Sequence, residues 1–172
     1  MELWDLLDES RRPLGRTQRR GAPMRPDEYH VVVEIWTVDD GGRILLTLRA
    51  PEKEAYPGKW ENTGGSILAG ETSRQGAVRE LFEETGISAA EDELDFWETV
   101  QRPSVFLDTY LLRRNVPLSD LVMQAGETVS AKWVTLPQID ELIVRGELAE
   151  PVRERFLCLR SRLEAQLTPG IK

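Results

Sequence analysis

Residues 64–86 read GGSILAGETSRQGAVRELFEETG, and no other stretch restricts the folding of this chain as strongly. Two glycines make a corner at which backbone can approach closely. The run behind it carries helical spacing from about Thr72 to Thr85, with Gly86 placed as a C-cap. At about 100° per residue, Glu80, Glu83 and Glu84 share an arc of about 100°. Val78, Leu81 and Phe82 point the other way and form the expected core face, while Gly76 leaves bare backbone on the acidic side. Repulsion between carboxylates one turn apart costs a helix a few tenths of a kcal/mol. Plain solvation explains most acidic helix faces. A divalent cation is the other reading, because hard carboxylate oxygens suit Mg2+ or Mn2+.

The flanking segments supply a mixed architecture. LWDLLDE (Leu3–Glu9) and LGRTQ (Leu14–Gln18) read as a two-stranded ribbon, a β-hairpin over about residues 2–18. Tyr29–Val38 is nearly continuously apolar and β-branched, as a buried strand requires, and DDGG turns it into a second strand at Arg43–Arg49. Pro51 and Pro57 bar regular structure from the next loop. DFWETVQ, SVFLDTYLLRR and ETVSAKWVTL are three further strands, and LPQIDELIVRGE opens a helix with Pro137 in its first turn. A last helix spans roughly residues 150–167, with Val152, Phe156, Leu159, Leu163 and Leu167 on one stripe and Arg153, Arg155, Arg160 and Arg162 off it. Docking on the core is the first use of that stripe and a homodimer contact the second. The whole of 1–172 reads as one domain, α/β (α+β) in class, a sheet covered by helices.

Composition narrows the partners. Thirty acidic against 22 basic residues give a net charge of −8, the wrong sign for a general nucleic-acid binder. One cysteine, Cys158, forms no internal disulfide; it falls in the amphipathic pattern of the last helix and reads as structural. No stretch approaches a membrane span, and the acidic MELWDLLDES is unlike a signal peptide, so the expected location is the cytoplasm.

The stretch at residues 65–87 resembles the Nudix box: Gly, five residues, Glu, seven residues, Arg-Glu, an aliphatic, any residue, Glu-Glu, any residue, Gly, an aliphatic. Gly65, Glu71, Arg79, Glu80, Leu81, Glu83, Glu84, Gly86 and Ile87 fill every position. Seven fixed identities at about 7% usage each make a chance match rarer than about one in a million per start position. The resemblance implies a Nudix fold, an α/β/α sandwich around a mixed sheet, here with an N-terminal β-ribbon. It implies metal-dependent cleavage of a diphosphate linkage, with Mg2+ or Mn2+ as cofactor and a small-molecule diphosphate as partner. Glu80, Glu83 and Glu84 are then the expected metal ligands, joined by the Gly64 carbonyl. Glu80 is the expected base, Arg79 an orienting partner of the carboxylates, and Glu71 a support for the corner. Glu127 is the candidate for a further ligand from outside the box; an ordinary loop glutamate accounts for it equally well.

Most of residues 2–90 also resembles the isopentenyl-diphosphate isomerase branch of the same superfamily, through YHVVVEIW, ILLTLRAPEKEAYPGKWENTGGS and the ribbon. In that branch a catalytic cysteine and a metal-binding histidine occupy the positions of Gly65 and Ile67. His30 is the chain's single histidine, so it more simply packs at a strand start. Gly65 has no group to move a proton, which argues against isomerisation. Arg49 and Lys53 match basic positions that grip the diphosphate, and two cations four residues apart suit that anion. The alternative is an exposed pair on a polar loop. Trp36, Tyr56, Trp60 and Tyr110 are candidates for an apolar wall, with core packing as the competing use. Besides hydrolysis, two functions stay open at this point: isomerase-like activity and non-catalytic nucleotide sensing.

Overall fold

In the computed structural model, which describes residues 2–167, the chain divides into two compact units. The first comprises Met1–Ile35, Gly64–Phe82 and Ser88–Leu111; the second comprises Trp36–Thr63, Glu83–Ile87 and Leu112–Lys172. No described helix is long and apolar enough to cross a membrane.

The first unit opens with the expected ribbon, β1 (Leu3–Leu7) antiparallel to β2 (Pro13–Arg19), with Trp4 opposite Gln18. Leu7 bridges to Tyr29, which leads into β3 (His30–Val38). Two short strands that the sequence reading left irregular follow the loop, β5 (Trp60–Glu61) and β6 (Thr63–Ser66). Strand β5 belongs to the second unit, and along β6 the chain re-enters the first unit at Gly64. Their polar and glycine residues hide the strand signal: β6 pairs with β3, and an added Cβ on Gly64 would lie 2.5 Å from the Val33 carbonyl oxygen. Bare backbone at Gly64 is therefore a packing requirement. Next come α1 (Ser73–Thr85), β7 (Asp95–Arg102) and β8 (Val105–Arg113), the two strands antiparallel with Thr99 opposite Asp108. Leu7, Val31 and Phe106 form an apolar cluster against which Tyr29 and Ile67 pack.

A buried polar network joins these elements. Arg11, at the ribbon's tip, grips the Asp108 carboxylate, donating to its Oδ1 at 2.7 Å and to its Oδ2 at 2.5 Å. Ser73 and Thr99 hydroxyls also donate to Asp108, and the Tyr110 hydroxyl donates to Ser73. Burial pushes the Asp108 carboxyl up, but these donors outweigh it and hold it below the ordinary range. Trp4 stacks on His30 with centroids 3.9 Å apart, so the histidine does pack at the strand start.

In the second unit, a turn closed by Arg43 N–H on Asp39 joins the end of β3 to β4 (Ile44–Arg49). Strand β4 is antiparallel both to β5 and to β9 (Thr128–Val134). Helix α2 (Leu136–Val144) starts from Thr135, whose N–H donates to Gln138, and carries Pro137 in its first turn. A parallel bridge between Trp60 and Leu148 makes the sheet mixed. Helix α3 (Glu150–Leu167) buries Val152, Phe156, Leu159 and Leu163. Two details differ from the expected helix face. Arg155 is buried beside Phe156, whereas Cys158 is exposed and so has no packing role.

Candidate functional site

The box folds as its spacing requires. Thr72 and Gln75 exchange bonds at the start of α1, Gln75 N–H to Thr72 Oγ1 and Thr72 N–H to Gln75 Oε1. Gly86 ends the helix with a φ of 73°, a conformation that favours glycine. Of the expected core face only Leu81 is fully buried; Val78 is half-buried and Phe82 is 56% exposed. Ala77, four residues before Leu81, takes the second core position and narrows the apolar stripe. Gly76 serves packing too: an added Cβ there would run into the Ile67 side chain.

Arg79 organises the corner. Its Nε donates to Glu71 Oε1 at 2.8 Å and its Nη2 to Glu71 Oε2 at 3.0 Å, a two-pronged grip on one carboxylate. Its Nη1 reaches Glu80 Oε1 at 2.9 Å, and Nη2 also meets the Ser66 carbonyl at 3.1 Å. The Glu71 bonds, then the Glu80 charge, raise the guanidinium pKa and keep it protonated. Glu71 is pushed up by burial but pulled further down by Arg79 and by the Leu68 N–H, which leaves it a carboxylate. Gly65 completes the arrangement. A Cβ on that residue would overlap the Glu80 carboxyl group, so the missing side chain is the room Glu80 occupies. The same crowding excludes a cysteine at position 65 unless Glu80 moves.

Helix α1 continues into Glu83, which is exposed, and Glu84, which is half-buried. Among the described residues, no three His, Cys, Asp or Glu side chains converge closely enough to hold an ion as they are placed. Glu80 turns toward Arg79. The donor set on the helix is nonetheless all carboxylate oxygen, the chemistry of a hard divalent cation.

In the second unit, the two expected substrate cations have carboxylate partners. Arg49 Nη1 donates to both Glu61 oxygens at 2.8 and 2.9 Å, and its Nε donates to the Ala55 carbonyl at 2.8 Å. Lys53 pairs with Glu127. These residues are neither an exposed pair nor a lone loop glutamate. Twelve and 74 positions separate the partners, so no local pattern announces them. Burial raises the Glu61 carboxyl pKa against the pull of Arg49. Of the four candidates for an apolar wall, Trp36 and Tyr110 take the competing use, core packing. Trp36 is fully buried against Phe156, Tyr110 is buried with its hydroxyl on Ser73, Tyr56 is exposed, and Trp60 carries Lys132 over its ring at 3.8 Å.

Comparison with known proteins places the chain in a family. Residues 28–156 match the family model of the NUDIX domain. An uncharacterized Nudix hydrolase of Listeria monocytogenes is 37% identical over 153 residues, spanning 86% of this chain and 88% of that protein. The isopentenyl-diphosphate Delta-isomerase of Paenarthrobacter aurescens is 32% identical over 94 residues, 54% of this chain and 51% of the isomerase. The crystal structure of a Deinococcus radiodurans protein superposes with a TM-score of 0.71 at 23% identity, covering 89% of this chain and 98% of that one. That likeness is one of fold. The family match spans most of the chain, and the Listeria relative aligns nearly end to end: the chain belongs to the Nudix hydrolase family.

Proposed function

We propose that this Nudix protein is a metal-dependent diphosphohydrolase, cleaving the diphosphate linkage of a nucleoside diphosphate derivative or a related organic diphosphate. The observation that carries the reading is the Glu71–Arg79–Glu80 arrangement beside Gly65, which spends one arginine and one missing side chain on orienting a single carboxylate. Placing like-charged carboxylates one turn apart costs a helix a few tenths of a kcal/mol, which a bound cation would offset. Glu80, Glu83 and Glu84, with the Gly64 carbonyl, would hold Mg2+ or Mn2+. Such an ion supplies Lewis-acid polarisation of phosphoryl oxygen and a more acidic water.

The chain's own residues then have separate tasks. Glu80 takes the proton of the attacking water, and Arg79 fixes the direction in which that carboxylate points. Arg49 and Lys53 grip the diphosphate, for which they exchange Glu61 and Glu127 for phosphate oxygens. Glu127, the candidate for a further ligand, has to leave Lys53 to reach an ion. Isomerisation is disfavoured because position 65 has no proton-transfer group and no space for one.

The test is release of phosphate or monophosphate from a panel of nucleoside and prenyl diphosphates with Mg2+, alongside Glu83→Gln. Turnover of at least one compound by the wild type, lost in the variant, is expected. Wild-type behaviour no different from buffer across the panel would remove the proposal.

A further inference from the structure

A cavity of about 340 Å³ lies within the first unit, between the ribbon and the start of the box. Leu6, Leu7, Val31 and Ile67 give it an apolar lining, while Arg11 and Arg16 bring guanidinium groups to it from the ribbon. The volume suits a small organic molecule. No step of the proposed hydrolysis uses it.

The unspent hydrogen-bonding capacity of the lining decides what would fit. Glu71 also lines the cavity, but its two oxygens already accept from Arg79 and the Leu68 N–H. Ser73 is committed to Asp108 and Tyr110. Asp5 is the remaining carboxylate, and its Oδ2 accepts from the Gly70 N–H at 2.7 Å. The arginines have donors to spare. Arg11 spends Nη1 on Thr99 and Asp108 and one Nη2 hydrogen on Asp108, which leaves Nε–H without a bond among the described residues. Arg16 spends Nη2 on the buried Glu28, and its Nε and Nη1 hydrogens make no bond among the described residues. The lining therefore asks for an acceptor. Asp108 and Glu28 offset the two arginine charges and Asp5 adds a third carboxylate, so what the lining offers is spare N–H donors, and its complement carries at most a single negative charge.

Arg11 takes the left-handed position of the ribbon's turn, with a φ of 60° and its N–H on the Asp8 carbonyl at 2.9 Å. Its side chain is fixed separately, by the grip on Asp108, which holds a guanidinium at the cavity.

We propose that this cavity binds a small amphiphilic monoanion, its apolar body against Leu6, Leu7, Val31 and Ile67 and its carboxylate or phosphate on Arg11 and Arg16. The test uses the full chain in metal-free buffer with EDTA, so its outcome does not depend on hydrolysis, at about pH 5.5, where an alkyl phosphate is mainly singly charged and a carboxylate is still mainly ionised. Calorimetric titrations compare hexyl phosphate, hexanoate, inorganic phosphate and hexan-1-ol. Saturable 1:1 binding of hexyl phosphate, hexanoate or both is expected, about tenfold or more tighter than either fragment alone. Which of the two binds identifies the anionic group. Arg16→Gln should weaken binding by about tenfold, the worth of one charge-assisted pair. Arg16→Lys keeps the pair with Glu28 but loses the fork, and should weaken binding in the same direction, so the result stands if the glutamine variant misfolds. Absence of saturable binding by both amphiphiles, or binding that neither Arg16 variant weakens, overturns the proposal.

Discussion

Gly64 and Gly65 are neighbours in β6, and alanine at each separates two kinds of requirement. At Gly65 the new methyl group would overlap the end of the Glu80 side chain, which can swing away. The stability terms then nearly cancel: about 0.5–1 kcal/mol gained by restricting a strand glycine, against about 0.5–1.5 kcal/mol lost with the Arg79–Glu80 bond. The melting temperature should move by no more than about 3 °C. Activity has no such compensation. As the proposed base, a displaced Glu80 would forfeit about 10²-fold or more in kcat, the usual worth of positioned proton transfer. At Gly64 the methyl group would instead meet backbone, 2.5 Å from the Val33 oxygen and 3.3 Å from the Glu34 Cα, and neither atom can rotate aside. Overpacking of that kind costs about 1–3 kcal/mol. Thermal melts paired with phosphate-release rates on both variants give the comparison. Full activity in Gly65→Ala, or wild-type stability in Gly64→Ala, would refute the reasoning.

Three further outcomes follow from the geometry. Arg79→Lys keeps the charge but loses the two-pronged hold on Glu71 and the reach to Glu80; kcat should fall about 10- to 100-fold with KM nearly unchanged, read by steady-state kinetics. His30 is pushed by burial from 6.5 down to about 4. An unfolded chain therefore takes up a proton near pH 6.5 that the folded protein refuses until about pH 4, and stability falls with pH between those values. At about 1.4 kcal/mol per pH unit the ceiling is near 3 kcal/mol; residual solvent screening brings it to about 1–2 kcal/mol. Urea midpoints at pH 7 and pH 4.5 should show this loss, and His30→Phe should lack it. Arg49→Ala leaves the half-buried Glu61 carboxylate unpaired, so stability at pH 7 should drop by about 1–3 kcal/mol and recover in part as acid neutralises Glu61, while KM rises about tenfold or more.

What the sequence disclosed depended on the range of the interaction. The box helix, the ribbon and the stripe on α3 arise from spacing within one element, and periodicity reports them. Gly64 and Gly65 were visible as a corner, but not that one accommodates β3 and the other Glu80. Phe82 shows the limit of periodicity: the helix buries a narrow stripe centred on Ala77 and Leu81, and a large apolar residue at its margin stays in water. Strands β5 and β6 were missed because WENTGGS lacks β-branched residues apart from Thr63. The ion pairs of Arg11 with Asp108 and of Lys53 with Glu127 link residues 97 and 74 positions apart, and no local signal couples them.

The central claim is that one acidic helix surface gathers divalent metal for diphosphate cleavage. Titration of Mn2+ followed by electron paramagnetic resonance, on wild type, Glu83→Gln and Glu84→Gln with a bound non-hydrolysable diphosphate analogue, tests it most directly. Saturable Mn2+ binding by the wild type that weakens about tenfold or more in each variant is the predicted result. Equal Mn2+ affinity in all three proteins, or no binding by the wild type, would contradict it.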